Sequence, residues 1–346
     1  NRKERWKVGA LGTTMMNKII DPYNREITYL RVSVTDHCNY RCHYCREEDH
    51  QTHTKRSQVL SFEEIAKIVR LFSELGVTKV RLTGGEPLLR KDILELTKML
   101  GEISGLTDIP LSTNAHLLSQ LATELKANGI NRTNISIDSL IPERFKEITR
   151  DGDLATVIKG IDAAISAGMK PIKLNMVVMK GINDDEIESM IEFAIDRGLD
   201  IRFIETMPIG LAGIEAVDRH YSEKDILERV YTRFGSKLES KIAQQTDGPA
   251  KALHIIGTNT SVATISSVSN NFCSSCNRVR LTAKGELILC LGQKDSVSLR
   301  DAIRSGMSDA EIKQLILNAI TKKPEKHFFD SVIDNISSRQ MVEIGG

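Results

Sequence analysis

The sequence predicts an α/β protein in which six β/α units build a parallel sheet, curled as a partial six-stranded (β/α)6 barrel of the TIM type, with a smaller C-terminal α+β domain. Three observations predict it. Six β-like runs alternate with amphipathic helical segments, each run carries one apolar and one polar face, and the alternation stops after Glu205. Right-handed crossovers curl such a sheet towards a barrel, and a doubly wound order satisfies the alternation equally well.

The strand candidates are Thr28–Val34, Thr78–Thr83, Asp108–Thr113, Asn131–Asp138, Pro171–Val178 and Leu199–Glu205. Between the first two, Phe62–Leu75 sets Ile65, Ile68, Val69, Phe72 and Leu75 on one helical face, behind a capping box of Ser61 and Glu64. Leu154, Val157, Ile158, Ile161 and Ile165 repeat that spacing, as do Ile187, Met190, Ile191 and Ala194. Beyond Glu205, Met207–Val217 is interrupted by Gly and Pro, and the remainder mixes short helices with runs such as Ser261–Ser267 and Glu286–Leu291. We divide the chain into an N-terminal extension (1–27), a barrel part (28–215) and a C-terminal part (216–346).

Composition bounds the function. The chain has 346 residues, 40% hydrophobic and 27% charged, with a net charge of +1, which is the profile of a globular protein without a global basic field for nucleic acid. No apolar run approaches the roughly 18 residues of a membrane helix, and residues 1–18 are basic without a continuous apolar stretch. We expect a soluble, cytoplasmic protein that binds neither nucleic acid nor membrane.

Side chains alternate across a strand, so each run splits by parity. One face reads Leu30, Val32, Val34, Val80, Leu82, Ile135, Ile137, Ile172, Leu174, Met176, Ile201 and Phe203. The other carries Arg31, Arg81, Ser112, Asn134, Ser136, Lys173, Asn175 and Arg202. The apolar face is expected against the helices, with the polar face lining a cavity that six strands leave partly open. Arg31, Arg81, Lys173 and Arg202 then point inward together, and a buried unpaired charge costs several kcal/mol. Asp138, Glu86 and Glu205 could answer some of them as a structural network. The sharper reading is a pocket for a polyanion, with guanidinium forks matched to phosphate.

Six cysteines fall in two triplets, Cys38-x3-Cys42-x2-Cys45 and Cys273-x2-Cys276-x13-Cys290. A chain this long needs no disulfide staples, so the triplets read as two metal sites. Zinc normally takes four protein ligands, and His37, His43, His50 or His53 could complete the first triplet. Thiolate-rich sites also select iron–sulfur clusters, and a cubane on three cysteines leaves one iron open for a small molecule. At the end of the second strand, Gly84-Gly85-Glu86 lets backbone approach a ligand closely.

The first cysteine triplet with Tyr44 inside it, followed by Gly84-Gly85-Glu86, resembles the radical S-adenosylmethionine enzymes. The second triplet, with Arg278 and Arg280 beside it and Gly345-Gly346 at the end, narrows the resemblance to the GTP 3′,8-cyclase family of molybdenum cofactor biosynthesis. It spans about Tyr29 to Gly346. The resemblance implies two 4Fe-4S clusters, on Cys38, Cys42 and Cys45 and on Cys273, Cys276 and Cys290. It further implies S-adenosylmethionine bound near Tyr44, Gly84, Gly85, Glu86, Ser136 and Met207. GTP would meet Arg31, Arg81, Ser112, Lys173, Arg278, Val279 and Arg280, with Arg202, Gly345 and Gly346 in the catalytic group.

The implied reaction is removal of the ribose 3′ hydrogen of GTP by a 5′-deoxyadenosyl radical, then attack of the sugar carbon on guanine C8. An external electron donor, a downstream cyclic pyranopterin monophosphate synthase and a homodimer belong to the same expectation. The chain departs from the family pattern at Arg46-Glu47 after the third cysteine, at Ser112 and Ala115, and at Gly292. A peptide-modifying relative and a non-enzymatic metal-binding module are the competing readings.

Overall fold

A computed structural model describes residues 18–47, 54–240, 251–292, 296–327, 329 and 339–346. His50, His53 and the extension up to residue 17 lie outside the described residues. All six strand candidates are strands: β1 (Tyr29–Ser33), β2 (Lys79–Thr83), β3 (Leu111–Thr113), β4 (Thr133–Ser136), β5 (Ile172–Val178) and β6 (Asp200–Glu205). They pair in parallel in chain order.

The helices form where the apolar spacing put them, at Phe62–Glu74, Leu154–Ser166 and Ile187–Arg197. The first is closed by the expected capping box, with Ser61 accepting from the Glu64 amide and the Glu64 carboxylate accepting from the Ser61 amide. Strand parity decides the layers. Leu30, Val32, Val80, Leu82, Ile135, Leu174, Ile201 and Phe203 pack with Ile65, Ile68, Phe72, Val157, Ile161 and Ile191 in one core. The opposite face of the sheet turns inward.

Beyond residue 215 the described strands all join the same sheet. These are β7 (Leu238–Ser240), β8 (Lys251–Ile255), β9 (Ser261–Ile265), β10 (Arg278–Leu281), β11 (Glu286–Ile288) and β12 (Ser296–Ser298). β10 joins β1 in parallel and β9 joins β6 in parallel, so eight parallel strands run side by side. Antiparallel β11 and β12 continue one edge, and β8 and β7 continue the other. Six open strands would leave two rows of unpaired backbone groups, and the later strands satisfy them.

The segment before β1 fastens the second cysteine triplet. Asp21 holds Arg25 at 2.5 Å, and the Arg25 guanidinium donates to the carbonyls of Cys273 (2.7 Å), Pro324 (2.6 Å) and Glu325 (2.7 Å). Among the described residues no helix is long and apolar enough to cross a membrane.

Leu30 is fully buried at the centre of β1. Leu30→Ala should cost about 2–5 kcal/mol by cavity formation, read as a lower urea midpoint at unchanged slope. A loss below about 1 kcal/mol would contradict the packing of this face.

Candidate functional site

The inward face of the sheet encloses a cavity of about 350 Å³. Its wall begins on β10 and β1 with Arg278, Arg280 and Arg31. It continues through Arg81 and Ser112 on β2 and β3, and ends at Ser136 on β4 and Arg202 on β6. All six cysteines line it, and all six are free thiols. Tyr44, Gly84, Gly85, Glu86, Met207, Val279, Gly345 and Gly346 line it too. Val279 contributes backbone there, because its side chain is buried in the core on the other face of β10.

Lys173 is the exception. It is not among the lining residues, and its ammonium faces Asp200 on β6 at 3.8 Å. The three acids that sequence offered as partners for the cations are also engaged elsewhere. Asp138 accepts from Tyr44 Oη (2.7 Å) and the Val177 amide (2.8 Å). Glu86 accepts from Thr113, the Asn114 amide and the Leu88 amide. Glu205 accepts from the amides of Glu223, Val268 and Ser269.

Register explains how the cations gather. Arg31 lies opposite Arg280 on one side and Arg81 on the other, while Tyr29 lies between Arg278 and Lys79. Neighbouring strands are about 4.8 Å apart, so the side chains of each row share one face at close range. Among the described residues no Asp or Glu side chain pairs with Arg31, Arg81, Arg278 or Arg280. Arg81 donates to Tyr29 Oη (2.6 Å) and Ser112 (3.2 Å), and Arg280 reaches the Ile344 carbonyl (3.2 Å). The Nε atoms of Arg31 and Arg278 are buried without a partner. Burial, then repulsion from Arg31 and Arg278, holds Arg280 well below its ordinary range. Tyr29 and Lys79 escaped the sequence reading, although they sit two residues before Arg31 and Arg81 and share their parity.

The chain end completes the wall. Arg31 donates to the Gly345 carbonyl (3.0 Å) and the Gly346 carbonyl (2.5 Å). Gly345 has φ +84°, and a Cβ there would stand 2.5 Å from Thr83 Oγ1, so only glycine fits without strain. Below the tail, Ile209, Ile288, Met341 and Ile344 form a small apolar cluster that Cys45, Met207, Leu291 and Phe329 join.

The donor sets fit iron–sulfur chemistry better than a lone ion. Among the described residues no three His, Cys, Asp or Glu side chains close around a point that could hold one metal ion. The thiols of each triplet instead border a shared, larger space. Burial pushes the Cys38 thiol up to about 11, Cys45 up to about 12 and Cys42 well above its ordinary range, so three bare thiolates there need added positive charge. In the second triplet burial raises the Cys276 thiol, but Lys323, Arg278 and Arg25 outweigh it and bring it below its ordinary value. The Lys323 ammonium lies 3.6 Å from that sulfur. Gly85 is a cradle for a group beside the first triplet, since its missing Cβ would fall 2.3 Å from the His37 carbonyl.

The departures from the family pattern find places here. Arg46 lines the cavity, and Glu47 accepts from Gln340 beside the tail. Ala115 takes φ +61°, the left-handed region where glycine is less strained. Gly292 leaves room for His327 and Phe329, stacked at 4.0 Å.

A profile described as the radical SAM superfamily matches residues 32–194, and one described as molybdenum cofactor synthesis C matches residues 199–329. The chain is 54% identical over 329 residues to a GTP 3′,8-cyclase of Hydrogenovibrio crunogenus, covering 95% of this chain and 99% of the relative. A GTP 3′,8-cyclase of Syntrophomonas wolfei is 43% identical over 328 residues, with 95% and 100% covered. Among solved structures, Streptococcus suis SuiB bound to S-adenosylmethionine superposes with a TM-score of 0.63 at 15% identity, over 89% of this chain and 78% of that one. That likeness is one of fold.

Replacing a buried, repelled charge by an apolar side chain of similar length is often neutral or stabilising. Arg280→Met should therefore leave stability without nucleotide unchanged or raise it by about 1 kcal/mol in urea unfolding. A loss above about 2 kcal/mol would mean that Arg280 is held by partners the geometry does not contain.

Proposed function

This chain belongs to the GTP 3′,8-cyclase family of the radical S-adenosylmethionine superfamily, and we propose from that premise that its cavity cyclises GTP in the first step of molybdenum cofactor biosynthesis. The observation that carries the proposal is the wall of four arginines with no Asp or Glu partner among the described residues, in a cavity that also holds both cysteine triplets. A nucleoside triphosphate supplies the missing negative charge, and its base and ribose then extend towards the sulfurs.

Cys38, Cys42 and Cys45 would hold a 4Fe-4S cluster, with S-adenosylmethionine lodged against Gly84, Gly85, Glu86, Tyr44, Ser136 and Met207. When bound there, the cluster and S-adenosylmethionine would supply the radical chemistry that removes the ribose 3′ hydrogen. Cys273, Cys276 and Cys290 would hold a second 4Fe-4S cluster facing the guanine, with Lys323 giving the Cys276 sulfur a charge-assisted donor. Arg31, Arg81, Arg278 and Arg280 grip the triphosphate and Ser112 orients Arg81. Lys173, in register with the lining residue Asn134 and facing Asp200, adds its charge to the GTP contacts. Arg202 covers the ribose side. The Gly345-Gly346 backbone, free of side chains, presents carbonyls to Arg31 and Arg280 and leaves space for the sugar.

An external reductant, a cyclic pyranopterin monophosphate synthase acting on the product, and a homodimeric, cytoplasmic state complete the reading. The working division remains 1–27, 28–215 and 216–346, with both cysteine-bearing parts contributing walls to one site.

Three experiments test it on anaerobically reconstituted protein. Wild type should carry about eight irons with matching sulfide; tightly held zinc in their place would overturn the assignment. Cys38→Ala should keep about half the iron and lose all S-adenosylmethionine cleavage. Cleavage at the wild-type rate in that variant would refute the first cluster's ligand set. Arg280→Ala should weaken GTP binding about tenfold or more while iron content holds, because one charge-assisted fork is gone. Unchanged affinity would remove Arg280 from the nucleotide site.

A further inference from the structure

Six inward positions on three adjacent strands form a grid. Arg278, Tyr29 and Lys79 make one row across β10, β1 and β2, and Arg280, Arg31 and Arg81 make the next. Five positions are cationic. The sixth is a tyrosine, only 5% exposed, whose phenol is surrounded by charge. Arg81 Nε donates to its oxygen at 2.6 Å, and Arg31 lies on the same face two residues along β1. The Lys79 ammonium stands 4.7 Å from the ring centre and the Arg278 guanidinium 5.9 Å from it.

We propose that the Tyr29 phenol is a built-in counter-ion of this wall, charged while the seat is empty and protonated from solvent when a triphosphate binds. The inference rests on the reading of the wall as the triphosphate seat. Every titratable neighbour on the strands packed against Tyr29 bears on it. On β1 there is Arg31, on β2 Lys79 and Arg81, and on β10 Arg278 with Arg280 behind it. Asp108, before β3, holds Lys79 at 3.5 Å and also pairs with Arg132. A phenolate among these cations relieves repulsion that nothing else on the three strands relieves.

Electrostatics agrees with the geometry. Burial raises the phenol's pKa, but Arg81, Arg31, Lys79 and Arg278 together outweigh it and draw it down from 10.0 to about 7. At pH 8 the empty seat therefore holds mostly phenolate. A triphosphate arriving beside it is a like charge, which favours the neutral phenol, and one proton is taken up per nucleotide bound. No electron moves, and the balance is phenolate, triphosphate and a solvent proton giving phenol and bound triphosphate. Lys79 is brought down to about 8, chiefly by burial, and is a second possible proton acceptor that the test must separate.

The test is anaerobic titration calorimetry of the iron-loaded protein with GTP, without S-adenosylmethionine so that nothing turns over. Heats at pH 8 in two buffers of different ionisation enthalpy give the net proton uptake. The γ-phosphate is already ionised at that pH and contributes nothing. Wild type should take up about one proton, Lys79→Gln should keep most of that uptake, Tyr29→Phe should lose most of it, and Tyr29→Phe with Lys79→Gln should abolish it. Wild-type affinity should weaken above pH 7, by at most about tenfold per pH unit, while that of the double variant stays flat. Phenylalanine preserves the ring packing, and iron content with far-ultraviolet circular dichroism verifies the fold. Independently of any variant, wild-type uptake should give way to none or to net release at pH 6, where the phenol already carries its proton and the γ-phosphate of GTP can only give one up. Uptake of wild-type size in Tyr29→Phe, or none in wild type at pH 8, overturns the counter-ion. No GTP binding by wild type in any buffer overturns the triphosphate reading and this inference with it.

Discussion

Four arginines side by side on three neighbouring strands, with no Asp or Glu partner among the described residues, are the constraint around which this fold is arranged. Like charges about 5 Å apart repel by about 1 kcal/mol in water and by several kcal/mol in a less polar recess. Whole-domain stability is only about 5–15 kcal/mol, so the wall is affordable only with partial compensation and a ligand in prospect. The compensation is visible. The Tyr29 phenol accepts from Arg81, and the carbonyls of residues 344–346 accept from Arg31 and Arg280. The apolar parity of the same strands provides the stability that tolerates the rest.

The two cysteine triplets sit in different electrostatic surroundings, and this suits different roles. Around the first, burial and the acids Asp138 and Glu86 work against thiolates, so a cationic iron–sulfur core is what makes three thiolates acceptable there. Around Cys276, Lys323, Arg278 and Arg25 favour the thiolate before any metal arrives. Arg25 also ties the Cys273 backbone to the turn at Pro324 and Glu325. The second triplet is thereby a rigid, positively framed wall, whereas the first belongs to a backbone cradle built by Gly84 and Gly85.

Much of this was legible before any coordinates. The six strands, their parity, the capping box of Ser61 and Glu64 and the cysteine spacing follow from local periodicity, which survives folding unchanged. What was not legible was non-local. β10 lies some 250 positions from β1 in sequence, and nothing in either strand announces the pairing that sets Arg280 beside Arg31. For the same reason the β-like runs after Glu205 read only as part of a smaller C-terminal α+β region, and their continuation of the barrel sheet into one twelve-stranded order came from the structure. Lys173 has the right parity and lies in register with Asn134, which lines the cavity, while its ammonium faces Asp200 on the adjacent strand. Tyr29 carried the right parity too. An aromatic residue opening a strand reads as core, and only the cations placed around it reveal the polar end.

The most direct measurement is the fate of one hydrogen. The reduced, iron-loaded protein is incubated with S-adenosylmethionine and GTP deuterated at ribose C3′, and the 5′-deoxyadenosine formed is weighed by mass spectrometry. Deuterium in that product, dependent on GTP, is the result predicted, since the Gly84-Gly85 cradle and the arginine wall line one cavity. Unlabelled 5′-deoxyadenosine, formed equally without GTP, would contradict it.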